Sequence, residues 1–190
     1  MATATTTTTS INLREEFVER ALVLRCREGD HAAFVRLIEL HHAELIYYVR
    51  ALLGRSDGSE DVVQEVWLAA FRRLGALGDV KVFRPWLYRI ARNKAIDLLR
   101  IRPSQSLDDV REPPASSDDD DAHFAPEDAA RVHAALKNLS FEHREVLTLR
   151  FLKQMTYDQI AAVISRDVGT VKSRLHYARQ SLRREMEKSS

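Results

Sequence analysis

The side chains best equipped for recognition crowd the C-terminal end of the chain: Thr170, Lys172, Ser173, Arg174, His176, Tyr177, Arg179, Arg183 and Arg184. They are cations and hydrogen-bonding groups, not a catalytic set. A second group runs from Phe83 to Arg100, where Pro85, Trp86, Tyr88, Arg89, Arg92, Asn93, Lys94 and Ile96 mix rings with positive charge. Cations meet phosphates and rings accept unstacked bases, so this mixture suits single-stranded nucleic acid. The plainer alternative makes Trp86 and Tyr88 core residues and the arginines mere solubilising charge. A third group, Asp61, Gln64, Glu65 and Leu68, repeats at helical spacings of three and four. Periodicity alone leaves it either a solvated edge or a docking stripe.

Bond-making chemistry finds little support. The chain has no phosphate-cradling glycine loop, no convergent carboxylate set and no metal-ligand spacing, so an enzyme is the least favoured class and no cofactor is expected. His41-His42 with Glu44 invites a metal reading, but adjacent histidines point about 100° apart on a helix and share no face. The run Asp118–Asp121 is discounted as a cation site, because consecutive carboxylates do not converge and no loop glycine shapes them.

The C-terminal group needs a helix to present it. Thr156 and Gln159 form a capping box, with Ile160, Ala161, Val163 and Ile164 as a short apolar face behind it. Ser165-Arg166-Asp167 interrupts that face, and Asp167 is a good N-cap for a second helix. Val171, Leu175, Ala178 and Leu182 then recur at spacings of four, three and four. A short helix, a turn and a longer basic helix make a helix-turn-helix, whose second helix enters the major groove of DNA. An ordinary helical hairpin with a solvated basic face is the alternative, and the charge imbalance argues against it.

Hydrophobic residues make up 45% of the 190, ample for a core. The net charge of +1 conceals a strong segregation. From Arg166 to Lys188 there are seven Lys/Arg against three Asp/Glu, net +4, and from Arg84 to Arg102 six against one, net +5. From Asp108 to Asp128 there are nine Asp/Glu against Arg111, net −8. Two basic segments around an acidic one imply two polyanion-binding surfaces and a connector of opposite sign. The single cysteine, Cys26, excludes a disulfide framework. No apolar run approaches the ~18 residues of a membrane span. The opening MATATTTTTS has no apolar signal core, and a cytoplasmic protein is expected.

Residues 1–12 read as a disordered Thr-rich tail. Helical periodicity starts near Glu15 and breaks at Gly29-Asp30, where Asp30 caps a helix striped by Phe34, Leu37, Ile38, Leu45, Ile46 and Val49. Ser59 caps the helix that carries the Asp61 stripe, whose apolar residues fall on two faces and call for burial between neighbours. Residues 75–83 form a loop, and Pro85 opens the next helix at its first position, with Leu87, Ala91, Ala95 and Leu98 inward. Pro103 to about Ala125 is a flexible acidic linker. Pro126 starts a helix with Val132, Leu136 and Leu139 inward, and Ser140 caps the one that follows. No alternating strand pattern survives anywhere. The expected architecture is all-α: a tail over 1–12, a helical domain over 13–102, a linker over 103–125 and a second helical domain over 126–190.

Two stretches resemble one family. SEDVVQEVWLAAFRRL followed by FRPWLYRIARNKAIDLLR resembles region 2 of bacterial RNA polymerase sigma factors. LSFEHREVLTLRFLKQMTYDQIAAVISRDVGTVKSRLHYARQSLRR resembles their region 4. Their order and the short connector are similar to the extracytoplasmic-function (ECF) type of the sigma-70 family. The resemblance implies that Asp61, Gln64, Glu65 and Leu68 dock on the β′ clamp helices of core RNA polymerase, a partner whose β subunit is also engaged. It implies that Pro85, Trp86, Arg89, Arg92, Asn93 and Lys94 open the −10 element and hold its non-template strand. It implies that Lys172, Ser173, His176 and Tyr177 face bases of the −35 element while Thr170, Arg174 and Arg179 grip phosphates. Base contacts set sequence choice; phosphate contacts set affinity and register.

The same resemblance implies that the acidic linker threads the polymerase toward the RNA exit path, and that an anti-sigma factor is a further partner. Two residues depart from the family pattern. Ser165 stands where the turn usually has Gly, and Arg166 where an apolar residue is usual. A left-handed Ser165 costs about 1 kcal/mol relative to Gly; otherwise the turn has another shape. The expected function is promoter-specific recruitment of RNA polymerase, with nucleotidyl transfer left to the core enzyme. The rival is an autonomous helix-turn-helix regulator binding duplex DNA as a dimer.

Overall fold

A computed structural model describes residues 3–101 and 129–188, all in helices and turns with no strand among them. The first bundle holds α1 (Thr3–Arg27), α2 (His31–Leu53), α3 (Ser59–Arg73) and α4 (Phe83–Ile101). The second holds α5 (Ala129–Lys137), α6 (Phe141–Leu147), α7 (Tyr157–Ile164) and α8 (Val168–Lys188). The linker expected over 103–125 lies outside the described residues, as do Pro126, Glu127 and Asp128.

Local chemistry sets most helix ends. Asp30 accepts the Ala33 N–H at 3.1 Å and starts α2; Arg25 holds the same carboxylate from the end of α1 at 2.6 Å. Gly54 closes α2 in left-handed backbone at φ 67° and ψ 7°. Ser140 accepts the His143 N–H and starts α6. A π-helical turn, Thr148–Leu152, carries the chain out of α6 toward α7.

Four expectations are corrected. Helix α1 begins at Thr3, not near Glu15, so the Thr-rich stretch from Thr3 to Ser10 is helical here. Threonine costs only a few tenths of a kcal/mol in a helix, and no Gly or Pro interrupts propagation back from Glu15. Ser59 does not cap α3. Gly58 occupies the cap position, and the Ser59 hydroxyl turns back to donate to the Ser56 carbonyl at 2.6 Å. Pro85 is the third residue of α4, not the first; the initial turn tolerates it because its N–H would have no intrahelical acceptor. The segment expected as a loop contains two 3-10 turns, Leu74–Ala76 and Val80–Val82, which run almost directly into α4.

The core of the first bundle is built from Leu37, Leu45, Tyr48, Val49, Val63, Val66, Phe83, Leu87, Tyr88, Ala91 and Ala95, all with 0% exposure. Each large apolar side chain fully buried there contributes about 1.5–3 kcal/mol. Leu99 completes the buried stripe of α4, and Leu98, half-buried, packs against the same core. The stripe widens to take in Tyr88, so the reading of Tyr88 as a strand-facing ring is overturned: its ring packs 5.0 Å from that of Tyr48. Phe83 is buried in the same way. The same buried cluster continues into the second bundle through Val146, Leu149, Ile160, Val163, Val171, Leu175, Ala178 and Leu182. The apolar repeat of α8 is thus spent inward, which leaves its polar residues on the outside.

Candidate nucleic-acid interfaces and docking stripe

Helix α3 buries Val62, Val63, Val66 and Trp67, so geometry forces Asp61, Gln64, Glu65 and Leu68 onto the outer face, where all four are exposed. Leu68 is 57% exposed, and Phe71, one turn further, is 54% exposed. Sequence reasoning missed Phe71, although it continues the stripe three residues after Leu68. Its ring is steadied edge-on by Phe34 at 5.2 Å and His31 at 5.8 Å. A groove of about 540 Å³ between α3 and α4 is lined by Glu65, Leu68, Arg72, Asn93 and Lys94. Lys94 reaches Glu65 at 2.7 Å, bridging the two candidate surfaces.

The six α4 residues expected on the −10 strand are placed differently from one another. Arg89 and Asn93 are exposed; Trp86 is half-buried against Phe83, with ring centroids 6.0 Å apart. Pro85 is buried and offers no surface to a strand. The Arg92 side chain is 20% exposed and donates to Glu145 of α6 at 2.8 Å.

Beneath these faces lies a polar cluster the sequence did not announce. His41 Nε2 lies 2.8 Å from the Glu19 carboxylate, and Arg84 lies 3.6 Å from it. Glu44 accepts the Tyr88 hydroxyl at 3.2 Å and meets Lys153 at 3.7 Å. Burial opposes charge on His41, but the Glu19 and Glu44 carboxylates outweigh it and raise its pKa. Burial also works against the Glu44 carboxylate, yet His41, Lys153 and Arg84 overcome it and bring its pKa down to about 2. The adjacent histidines do part as the helix requires: His41 points inward and His42 is half-exposed near Glu60. Among the described residues no group of His, Cys, Asp and Glu is placed to hold a metal ion.

The second bundle presents its recognition residues from α8. The capping box is complete: Thr156 accepts the Gln159 N–H at 3.3 Å, and Gln159 Oε1 accepts the Thr156 N–H at 3.0 Å. Ser165 is left-handed at φ 55° and ψ 50°, which settles the shape of the turn. Asp167 caps α8 through the Thr170 N–H at 2.8 Å and the Thr170 hydroxyl at 2.7 Å. Those bonds hold the Asp167 carboxyl below the usual carboxylate range. Lys172 is exposed, its Nζ 5.8 Å from the Tyr157 ring. His176 stacks edge-on with Tyr177 at 5.3 Å and hydrogen-bonds Gln180 at 2.9 Å. Gln180 was not foreseen, yet it follows His176 by one turn and shares the face of Lys172, Ser173 and Tyr177. Arg174 and Arg179 are half-buried, and Arg179 lies 5.4 Å from the Phe151 ring.

An exposed stripe beside a cation-bearing helix is thus joined in one chain to a capped helix-turn-helix. Comparison with known proteins gives the class. Residues 37–102 match the model of sigma-70 region 2, and residues 129–182 match that of sigma-70 region 4. The chain is 32% identical to the RNA polymerase sigma-H factor of Pseudomonas aeruginosa, over 86% of this chain and 91% of that protein. It is 36% identical to the ECF RNA polymerase sigma factor SigL of Mycobacterium tuberculosis, over 80% and 88%. Among solved structures, CnrH in complex with the cytosolic domain of CnrY superposes with a TM-score of 0.69 at 29% identity, over 91% of this chain and 99% of that one. The chain belongs to the sigma-70 family, as a sigma factor of the ECF type, and directs promoter-specific transcription.

Proposed function

We propose that the two bundles divide promoter recognition between them. The α3 stripe of Asp61, Gln64, Glu65 and Leu68 docks on the β′ clamp helices of core RNA polymerase, and Phe71 extends it. Arg89, Asn93 and Trp86 on α4, joined by Lys94 and Arg92 once those are released from their carboxylates, hold the unpaired −10 strand. Pro85 shapes the first turn of that helix. In the second bundle Lys172, Ser173, His176 and Tyr177 read −35 bases in the major groove, and Thr170, Arg174 and Arg179 lie toward the phosphates. The chain itself performs no bond chemistry; nucleotidyl transfer belongs to the polymerase, which sets its workplace in the cytoplasm.

The observation that carries this reading is the α3–α4 groove, where an exposed apolar–acidic stripe meets a cation-bearing face. An autonomous DNA-binding regulator has no use for that juxtaposition. CnrH is seen in complex with the cytosolic domain of CnrY, and the sigma factor RpoE of Bartonella quintana in complex with the anti-sigma factor NepR; an anti-sigma factor is the second partner proposed for this chain. Run-off transcription with purified core polymerase tests the reading. Specific initiation that depends on adding this chain supports it; sequence-specific duplex binding without any stimulation of core polymerase refutes it.

A further inference from the structure

His176 does not stand alone on the outer face of α8. Its Nε2 lies 2.9 Å from the amide nitrogen of Gln180, one turn further on, and its ring meets that of Tyr177 edge-on at 5.3 Å and 81°. The ring is half-buried, whereas Gln180 is exposed and followed three and four residues later by the exposed Arg183 and Arg184. Residues so spaced are neighbours on a helix surface. Positive charge there favours the Gln180 amide with its oxygen toward the guanidinium groups and its NH2 toward His176.

An amide nitrogen only donates, so the His176 nitrogen that faces it must accept. A neutral imidazole carries one ring proton, and an accepting Nε2 puts that proton on Nδ1. An unconstrained histidine side chain favours the opposite form, with the proton on Nε2. The choice has consequences in a major groove. Nδ1–H can donate to guanine N7 or O6, to adenine N7 or to thymine O4, but at the cytosine amino group it meets only another donor. With Nε2 engaged by Gln180, Nδ1 is the ring nitrogen left to meet DNA.

We infer that Gln180 is a specificity-determining positioning residue: it holds His176 in the Nδ1–H form, a donor that disfavours cytosine at the base it faces. This rests on the reading of His176 as a −35 base contact. Gln180 acts through His176 and needs no base contact of its own. Tyr177 fixes the plane of the imidazole, and Gln180 fixes which nitrogen carries the proton.

Two measurements test the pair, one without DNA and one with it. Long-range proton–nitrogen correlation spectra of the full chain at about pH 8, where an ordinary imidazole is neutral, read the tautomer directly. The protonated ring nitrogen resonates far upfield of the bare one. His176→Ala identifies its signals among those of the seven histidines. The wild type should show Nδ1–H. Gln180→Ala should return the ring to Nε2–H, and so should Gln180→Glu, whose carboxylate only accepts. Nε2–H in the wild type, or Nδ1–H that survives Gln180→Ala, overturns the inference. Competition over duplexes randomised at the −35 element, with holoenzyme assembled on core polymerase, reads the consequence. The wild type should disfavour cytosine about tenfold at one position. His176→Ala and Gln180→Ala should both erase that discrimination at the same position. Erasure by His176→Ala alone overturns the positioning role of Gln180. A profile unchanged by His176→Ala refutes the −35 contact itself, and the specificity role of Gln180 falls with it whichever tautomer the spectra show.

Discussion

Replacing Ser165 with glycine should stabilise this protein, and replacing Gly54 with alanine should destabilise it by a similar amount. Both residues close a helix in left-handed backbone, at φ 55° after α7 and φ 67° after α2. In both the N–H returns to a carbonyl four residues back, of Ala161 and of Arg50. A Cβ in that region crowds the following carbonyl at a cost of about 1–2 kcal/mol. Glycine avoids the clash but gives the unfolded chain about 0.5–1 kcal/mol more backbone entropy to lose. The net gain for Ser165→Gly is then about 0.5–1 kcal/mol. A methyl added at Gly54 would lie 3.8 and 3.9 Å from the Arg144 guanidinium nitrogens, ordinary contacts, so the backbone alone sets the cost. At about 2–4 °C per kcal/mol for a chain of this size, Tm should rise by about 1–4 °C in one variant and fall by a similar amount in the other. Scanning calorimetry reads both. A fall with Gly54→Ala and no rise with Ser165→Gly would refute the reasoning, because the serine side chain would then be supplying something the turn needs.

Asp61→Arg should weaken core polymerase binding about tenfold or more without lowering Tm, since Asp61 is exposed at the start of α3; unchanged affinity in a labelled-core titration removes it from the docking stripe. Lys172→Ala or His176→Ala should change −35 base preference by about 1–3 kcal/mol at the bases they face, while Arg174→Ala should weaken all sequences alike; a competition assay over randomised duplexes separates the two behaviours. Glu44 has its pKa lowered from 4.5 to about 2, so its contribution to stability is present above the unfolded value and is lost as pH falls through that range. Its side chain is 40% exposed, and after discounting for solvent screening Glu44→Gln should cost about 1 kcal/mol near pH 7. That difference from wild type should vanish as pH falls from 4.5 toward 2, in urea melts at each pH; a gap that persists at pH 2 would show that packing and not charge is lost.

The parts of the site that are legible in the amino-acid sequence are those set by local chemistry. The capping box at Thr156 and Gln159 and the cap at Asp167 act over three residues, so the helix-turn-helix is written in adjacent letters. The α3 stripe is visible as a period, and its meaning comes from burial of the other faces. Tyr88 is misplaced by pattern alone because α4 is apolar over a wide arc, and an aromatic between Leu87 and Arg89 fits either edge of it. Its hydroxyl bond to Glu44, forty-four residues away, is what turns it inward, and no local pattern reports that partner.

Arg92 shows the same limit with a functional consequence. By type and spacing it belongs with Arg89 and Asn93 on a strand-binding face. Its partner Glu145 lies fifty-three residues on, in the other bundle, and in sequence it reads as one more polar residue of α6. Only tertiary structure pairs them, because an ion pair between helices so far apart in the chain leaves no periodic trace in either. A guanidinium that satisfies a carboxylate in one state can satisfy a phosphate in another, since both accept the same planar donor. Recognition residues in such a chain are therefore legible by chemistry, while their availability is set by a contact that must be seen.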